Sequence, residues 1–366
     1  MTKAAELAKM GEVLTNSQIG GRRNLIINGS QIIAQRSTSE TGVGGSTGYH
    51  TVDRFIIEAG HTAGRFTMEQ VADVHDGFSY ATKLSCTTAD TSIGADEYTT
   101  FTQRIEGQDL QHLKKGTSDA EKVTVSFYVK GNASATYTVE LRDNDNGRFN
   151  SQEFPVTTDW VKITRTFVGD TTGSFDNDNA LSLKLNFWLH AGSAYTGGTH
   201  VSNTWGTTSN QRVGDNQTSF FDSTSRTFFI TGIQLEVGSV ATPFEHRSFG
   251  EELKLCNRYY QEFNYDRHGY YVTNGGAGSS SQSKYIYTYY GGEMRATASV
   301  STPSVSNGYR FLGSANDNSH STIPNIDNPS RLSVQFGNNQ NTITAGTYFR
   351  LYLVASGAKI KFDAEL

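Results

Sequence analysis

The sequence predicts an all-β protein: a jelly-roll-like β-sandwich with a short N-terminal helix, one connecting helix and a smaller C-terminal β-rich domain. Three observations support this fold class. The chain of 366 residues is long enough for two domains. Its 18 Tyr, 21 Phe and 37 Gly suit pleated, half-buried strands joined by turns. Charged residues make up only 18% of the chain, too few for long solvated helices.

The central strands are predicted from apolar residues that alternate with polar ones. Residues 181–189 are the clearest case, with five apolar side chains on one face. The same pattern predicts strands at residues 123–129, 136–141, 160–168 and 226–237. In the last of these the apolar phase shifts at Gly232, which indicates a β-bulge. Repeated strands with one apolar face predict two stacked sheets over about residues 24–247.

Residues 2–14 are predicted to form a helix, because Leu7, Met10 and Leu14 recur on one face. A helix this short is marginal on its own in water. Its apolar stripe is therefore expected to pack against another protein, which makes residues 1–21 an attachment segment. The alternative is a frayed terminus that lies on its own domain.

A second helix is predicted at residues 251–263, which begin with acidic residues and carry one apolar stripe. After it the pattern predicts strands at residues 270–272, 285–290, 310–312, 332–336 and 349–354. Residues 274–281, rich in Gly and Ser, are predicted to be a mobile loop. The predicted domains are residues 1–21, 22–248 and 249–366.

Charge and composition exclude several classes of function. The net charge is −5 and the basic residues are scattered, which argues against a nucleic-acid partner. No apolar stretch approaches the roughly 20 residues of a membrane-spanning helix, and charged residues interrupt the N-terminus where a signal peptide would be apolar. The chain is therefore expected to fold in a cytoplasm, with Cys86 and Cys256 reduced and buried.

The sequence nominates no catalytic residue. Gly44, Ser46 and Gly48 match the pattern G-x-S-x-G, but their flanks lack the strand-to-helix turn that this motif requires. There is no Walker loop, no dinucleotide fingerprint and no H-E-x-x-H, and the nine His are dispersed. We therefore predict that the chain is not an enzyme.

Two acidic turns are candidate calcium sites. Asp143 and Asp145 occupy one Asx-rich turn, and Asp176 and Asp178 occupy another. Such turns can supply the hard oxygen ligands that Ca²⁺ binds, whereas ordinary hairpin turns use the same residues. No other cofactor is expected.

The loop at residues 191–214 is a candidate ligand-binding site. Tyr195, His200 and Trp205 lie there among Gly, Thr, Ser and Asn, in a loop too long for a plain hairpin. Aromatic rings among amides and hydroxyls are the groups that bind sugars. Alternatively, Trp205 plugs the end of the sandwich or packs on a neighbouring subunit, and Trp188 caps a sheet face.

Three stretches resemble virion structural proteins of tailed bacteriophages, especially tail-fibre and tail-appendage proteins of the marine podovirus type. The first stretch is residues 4–10, Ala-Ala-Glu-Leu-Ala-Lys-Met, followed by residues 23–36, Arg-Asn-Leu-Ile-Ile-Asn-Gly-Ser-Gln-Ile-Ile-Ala-Gln-Arg. Beyond it, Tyr49 lies one position further from Asp53-Arg54 than is usual in this family. Residues 230–245 are similar to the last strand of its carbohydrate-binding-module-like jelly roll. Residues 251–261 are similar to the helix that follows. The resemblance covers about residues 4–263.

The resemblance implies a tail-fibre or appendage subunit in the virion, assembled in the host cytoplasm. Leu7, Met10 and Leu14 would attach it to a tail adaptor or hub, and its outward domains would recognise a host-surface glycan. A homotrimer is expected, since trimeric tips raise avidity and the aromatic strands expose apolar surface. The alternatives are a capsid decoration or tail-hub protein that binds only virion proteins, and a depolymerase, which would need paired carboxylates.

Overall fold

The computed structural model describes part of the chain. The described residues are 3, 23–268, 271–279, 282–288, 292–313, 318–321, 325–327, 329–331, 333–338 and 348–366, with side chains at 23–266, 292–310, 329–331 and 351–366. The predicted attachment helix, with Leu7, Met10 and Leu14, lies outside them. The described chain divides into two compact units, of which the first ends at Phe249 and the second spans Gly250–Glu365.

The first unit is a β-sandwich of two six-stranded antiparallel sheets. The first sheet has the order β1-β4-β5-β12-β7-β10, with β1 at Ser39–Val43, β4 at Arg65–Val71, β5 at Ala81–Thr88, β7 at Val123–Gly131, β10 at Val161–Phe167 and β12 at Thr227–Val237. The second sheet has the order β2-β3-β6-β11-β8-β9, with β2 at Gly48–Tyr49, β3 at Phe55–Gly60, β6 at Tyr98–Glu106, β8 at Ala135–Asp143, β9 at Arg148–Val156 and β11 at Leu181–Ala191. The predicted fold class is confirmed, and all five strands predicted from alternation in residues 123–237 are present.

Alternation along each strand fills the space between the sheets. Leu183, Leu185 and Phe187 point inward from β11 and are buried. Phe127 of the first sheet packs edge-on against Phe187 of the second, with ring centroids 4.9 Å apart. Such aromatic contacts between the sheets supply a large share of the buried apolar area.

The predicted bulge at Gly232 is confirmed. The register of β12 against β7 shifts between Thr231 and Gln234, and Gly232 has a φ of 61°. Glycine adopts this left-handed conformation without the steric cost that a side chain would add.

Asn24 and Gly29 place residues 23–36 against β12. Asn24 accepts hydrogen bonds from the backbone N–H groups of Ile26 and Leu235, and its amide donates to the carbonyl of Ile233. A Cβ on Gly29 would lie 2.1 Å from the same carbonyl oxygen, so only glycine fits there. The residues that carry the family resemblance here have a structural role.

The second unit contains two further sheets. The three-stranded sheet has the order β13-β22-β16, with β13 at Tyr260–Asn264, β16 at Ser299–Ser301 and β22 at Lys359–Asp363. The seven-stranded sheet has the order β18-β17-β21-β14-β15-β20-β19, with β14 at Tyr271–Ser279, β15 at Gln282–Thr288, β17 at Tyr309–Gly313, β18 at Asn318–Ser321, β19 at Asn325–Asp327, β20 at Ser333–Asn338 and β21 at Tyr348–Leu353. The described helices are short: α1 at Ser193–Thr196, α2 at Phe249–Asn257 and α3 at Tyr265–His268.

Two predictions for this unit are wrong. The helix predicted at residues 251–263 ends at Asn257, and Tyr260–Asn264 is a strand because it pairs with β22; aromatic residues suit that pairing. Residues 274–279 belong to β14 rather than to a mobile loop. Hydrogen bonds to β21 and β15 satisfy the backbone on both sides, which offsets the entropy that glycine loses in a strand.

Cys86 and Cys256 are both buried and reduced, as the sequence predicts. In the part of the chain that the structure describes, no helix has the length and apolar character needed to span a membrane.

Candidate binding site

The outer face of the second sheet carries polar side chains in register. Residues directly opposite each other on antiparallel strands have Cβ atoms about 5 Å apart and share a face. Across β6, β11 and β8 they form three rows: Arg104, Lys184 and Arg142; Thr102, Asn186 and Glu140; Thr100, Trp188 and Thr138. We call these nine residues, together with Glu58 of β3, the polar face. Their inward-pointing neighbours fill the core, so the same strands supply both surfaces.

Glu58 links two cations on this face. Its carboxylate accepts hydrogen bonds from Arg104 Nη2 at 2.6 Å and from Lys184 Nζ at 2.9 Å. Burial acts to raise the pKa of Glu58, but the two cations outweigh it and hold this pKa below its usual value. Burial lowers the pKa of Lys184, and Glu58 opposes that shift only in part. Glu58 is therefore a fixed anion at neutral pH.

Glu140 organises the centre of the polar face. It is fully buried and accepts hydrogen bonds from Arg212 Nε at 2.7 Å, Asn186 Nδ2 at 2.7 Å and Trp188 Nε1 at 2.9 Å. Burial acts to raise the pKa of Glu140, and the Arg212 charge and these hydrogen bonds bring it below its usual value. A buried carboxylate with every partner in place fixes the surrounding side chains in one arrangement.

Three aromatic rings lie together beside this network. Tyr195, on α1, is 5.1 Å from Trp188 and 5.6 Å from Tyr98, measured between ring centroids. The Arg212 guanidinium lies 4.8 Å from the Trp188 ring centre. Trp188 is buried, whereas Tyr98 and Tyr195 are half-buried. The two tyrosines therefore present the aromatic surface that a ligand could reach.

The predicted binding loop contacts β9, the edge strand of the second sheet. Gly206 pairs with Phe149 of β9, and the Asn203 N–H donates to the carbonyl of Ser151. His200 Nε2 lies 3.0 Å from the Ser151 hydroxyl oxygen. These contacts tie the loop to the edge strand of the second sheet.

The structure separates the three predicted ligand-binding residues. Tyr195 contacts Trp188 of the polar face, and His200 contacts β9. Trp205 instead packs against the sandwich core, and its Nε1 donates to the carbonyl of Val168 at 2.7 Å. The pocket beside Trp205 has a volume of about 20 Å³, enough for about one water molecule. The surroundings of Trp205 are thus those of a ring that fills the end of the sandwich. A ligand-binding role for Tyr195, His200 and Trp205 stays a prediction.

The sequence alone does not identify the polar face as a binding site. Lys184, Asn186 and Trp188 do alternate with the apolar residues of β11, which marks one outward face. The partners of that face could not be read from the sequence, because cross-strand register depends on which strands pair.

The acidic turns make local contacts. Asp143 accepts from the Asn146 N–H, and the Lys115 ammonium lies 2.5 Å from its carboxylate. Asp145 accepts from the Asp176 N–H, and Asp178 accepts from its own turn. Lys115 thus places a positive charge beside Asp143. Calcium binding at these turns stays a prediction.

A different group of side chains could hold a metal ion. Ligand atoms of Asp90, Glu97 and His190 lie within 4.8 Å of one another, and His190 Nε2 is 3.2 Å from Glu97 Oε2. Burial lowers the pKa of His190, although Glu97 opposes that shift. A neutral imidazole with two carboxylates suits a transition metal such as zinc.

No protein-family model and no curated protein matches the sequence. Among solved structures, a CBM4 module is 12% identical with a TM-score of 0.31, over 58% of this chain and 98% of that one. TmCBM61 in complex with β-1,4-galactotriose is 12% identical with a TM-score of 0.30, over 59% of this chain and 100% of that one. The enzymatically active domain of bacteriophage CBA120 tailspike protein 4 is 14% identical with a TM-score of 0.31, over 59% of this chain but only 21% of that one. Similarities at this level carry no argument about function.

Proposed function

We propose that this chain is a non-enzymatic virion protein, a tail-fibre or appendage subunit of a tailed bacteriophage, and that its polar face binds a host-surface glycan. The N-terminal segment attaches the subunit to the particle, and the sandwich faces outward.

The observation that carries the glycan-binding proposal is the combination of groups at one site. Tyr98 and Tyr195 offer ring surface on which a sugar can stack. The partly exposed cations Arg104, Arg142 and Lys184 offer hydrogen-bond donors for hydroxyl groups. Sites of this kind, with fixed polar groups beside aromatic rings, bind small polar ligands in a defined orientation.

The charge states of the two carboxylates support a non-enzymatic role. A glycosidase generally needs one carboxylic acid whose pKa is raised, so that it can protonate the leaving group. Glu58 and Glu140 instead have lowered pKa values, because cations and hydrogen bonds stabilise their charged forms. On the polar face they are fixed anions that hold their neighbours in place.

The virion assignment is supported by the resemblance of residues 23–36, 230–245 and 251–261 to tail-fibre and appendage proteins. A homotrimer would present several polar faces to a host cell, which raises avidity for a weakly bound glycan.

A second candidate is a capsid decoration or tail-hub protein that binds only virion proteins. The outer face of the first sheet favours it, because Trp160 packs edge-on against Phe229 there and Tyr128 lies on the same face, and protein interfaces are rich in aromatic residues.

Glycan binding is tested with the purified chain on host cells and on a glycan array. Tyr195→Ala should weaken binding about fivefold, the factor for a ring contact of about 1 kcal/mol. Periodate oxidation of the cell-surface sugars should abolish it. Tyr128→Ala, a half-buried tyrosine on the first sheet, is the matched control and should bind like wild type. Binding that survives periodate, or that depends on Tyr128 and not on Tyr195, would contradict the proposal.

The attachment role is tested by deleting residues 1–20. The truncated protein should keep the wild-type melting temperature but should no longer enter particles. If it unfolds or aggregates, the segment is part of the fold.

A further inference from the structure

Arg142 stands apart from the other cations of the polar face. Arg104 and Lys184 bond to Glu58, and Arg212 bonds to Glu140 through two nitrogens. The Arg142 side chain has no hydrogen bond and no ion pair within 4 Å to any residue that the structure describes, although it is partly buried. Its guanidinium can therefore bind an anion from outside the chain.

The polar face, taken by itself, carries more cations than carboxylates. Four cations lie on or against the polar face, namely Arg104, Arg142, Lys184 and Arg212, whereas its carboxylates are Glu58 and Glu140. The whole chain has a net charge of −5, so composition does not explain this excess. Burial and the nearby Arg212 charge lower the pKa of Arg142, and the charges of Glu140, Glu58 and Asp143 oppose that shift only in part.

Arg142 shares its strand face with the residues beside the aromatic rings. On β8 it lies on the same face as Thr138, which is opposite Trp188. Burial raises the pKa of the Tyr195 hydroxyl, while the charges of Arg212 and Arg142 act to lower it. A guanidinium that no described residue binds therefore acts on the tyrosine on which a sugar could stack.

We propose that the glycan bound by the polar face is acidic, and that the Arg142 guanidinium binds its anionic group, a sugar carboxylate or sulfate. The inference rests on the proposed glycan-binding function and specifies the class of sugar. The planar guanidinium can donate two parallel N–H bonds to such a group. The excess of cations around it favours an anionic polymer over a neutral one, to a degree that falls with added salt.

The test uses matched pairs of polysaccharides that differ only in charge. Polygalacturonate is compared with its carboxyl-reduced form, and dextran sulfate is compared with dextran. Wild-type protein should bind at least one acidic member about tenfold or more tightly than its neutral partner, and added salt should reduce the difference. Preference within the first pair identifies a carboxylate, and preference within the second pair identifies a sulfate.

Arg142→Gln should remove this preference and should leave the melting temperature unchanged, because the Arg142 side chain makes no hydrogen bond or ion pair with a residue that the structure describes. Lys162→Gln removes an exposed cation from the outer face of the first sheet and should keep the preference. If acidic and neutral members bind equally well, or Arg142→Gln keeps the preference, the inference fails while glycan binding stands. If no polysaccharide binds and the host-cell assay is also negative, the proposed function fails with it.

Discussion

Positively charged side chains have different main partners on the outer faces of the two sheets. On the first sheet, lysines lie over aromatic rings: Lys130 Nζ is 4.7 Å from the centre of the Phe229 ring, and Lys162 Nζ is 5.8 Å from that of Tyr128. On the second sheet, cations bond to the carboxylates of Glu58 and Glu140. The first sheet also has an ion pair, Lys83 with Glu69 at 3.5 Å, but it is partly exposed, whereas the ion pair of Arg212 with Glu140 on the second sheet is largely buried.

The two faces are also covered differently. Phe78 contacts Tyr128 at 5.4 Å and Phe244 at 5.1 Å, so aromatic side chains from loops cover part of the first sheet. A Cβ on Gly232 would lie 2.5 Å from the Phe78 ring, so the glycine at the bulge leaves the space that the Phe78 ring occupies. A surface of ring contacts contains few polar groups that need a hydrogen-bond partner. A hydrogen-bond network contains many, and one of them, such as Arg142, can bind a ligand. The polar face is therefore the better candidate for binding.

The largest effect is expected from Glu140→Ala. This change leaves Arg212, Asn186 and Trp188 without their shared acceptor, and breaking a buried ion pair in this way costs about 3–5 kcal/mol. Urea unfolding should show that loss in the free energy of unfolding. A loss below about 1 kcal/mol would mean that Glu140 does not organise the polar face.

A smaller loss is expected from Trp205→Ala. The ring packs on the core and donates one hydrogen bond, but it is only half-buried, so we expect about 2 kcal/mol. Glycan binding should persist. Loss of binding at an unchanged melting temperature would instead assign Trp205 to the ligand site and move that site away from the polar face.

On the first sheet, Tyr128→Ala should cost about 1 kcal/mol, because it removes ring contacts and leaves no buried partner uncompensated. The ratio between this loss and that of Glu140→Ala measures the contrast between the faces. Comparable losses would show that the two surfaces are held together in the same way.

The two faces should also differ in their response to acid. Glu58 and Glu140 have lowered pKa values in the folded protein. They therefore stabilise the fold above the unfolded carboxyl pKa, near 4.5, and this contribution is lost as pH falls through the lowered folded values. Glu58→Gln should make the free energy of unfolding less dependent on pH below 4.5. An unchanged slope would contradict the assigned charge state of Glu58.

Much of the sandwich could be predicted from the sequence, because alternation in residues 181–189 reports directly which side chains face inward. The second unit was harder to predict. Tyr260 and Phe263 fit a helical stripe as well as a strand, and only pairing with β22 decides between them. The glycines of β14 resemble a loop until their partner strands are known.

The site shows the same limit. Tyr195 could be nominated because an aromatic residue in a long polar loop is unusual. Arg142 could not be identified from the sequence, because its proposed role depends on the contacts of its neighbours. Lys184 lies opposite Arg142 in register and is already paired with Glu58. Such information arises only when strands from distant parts of the chain come together.

The most direct test of the account is a crystal structure of the chain with a bound oligosaccharide from the best-binding polysaccharide. The account predicts density for the sugar on the outer face of the second sheet, with a ring against Tyr195 and an anionic group within hydrogen-bond distance of Arg142. Density over Tyr128 on the first sheet, or beside Trp205, would contradict it.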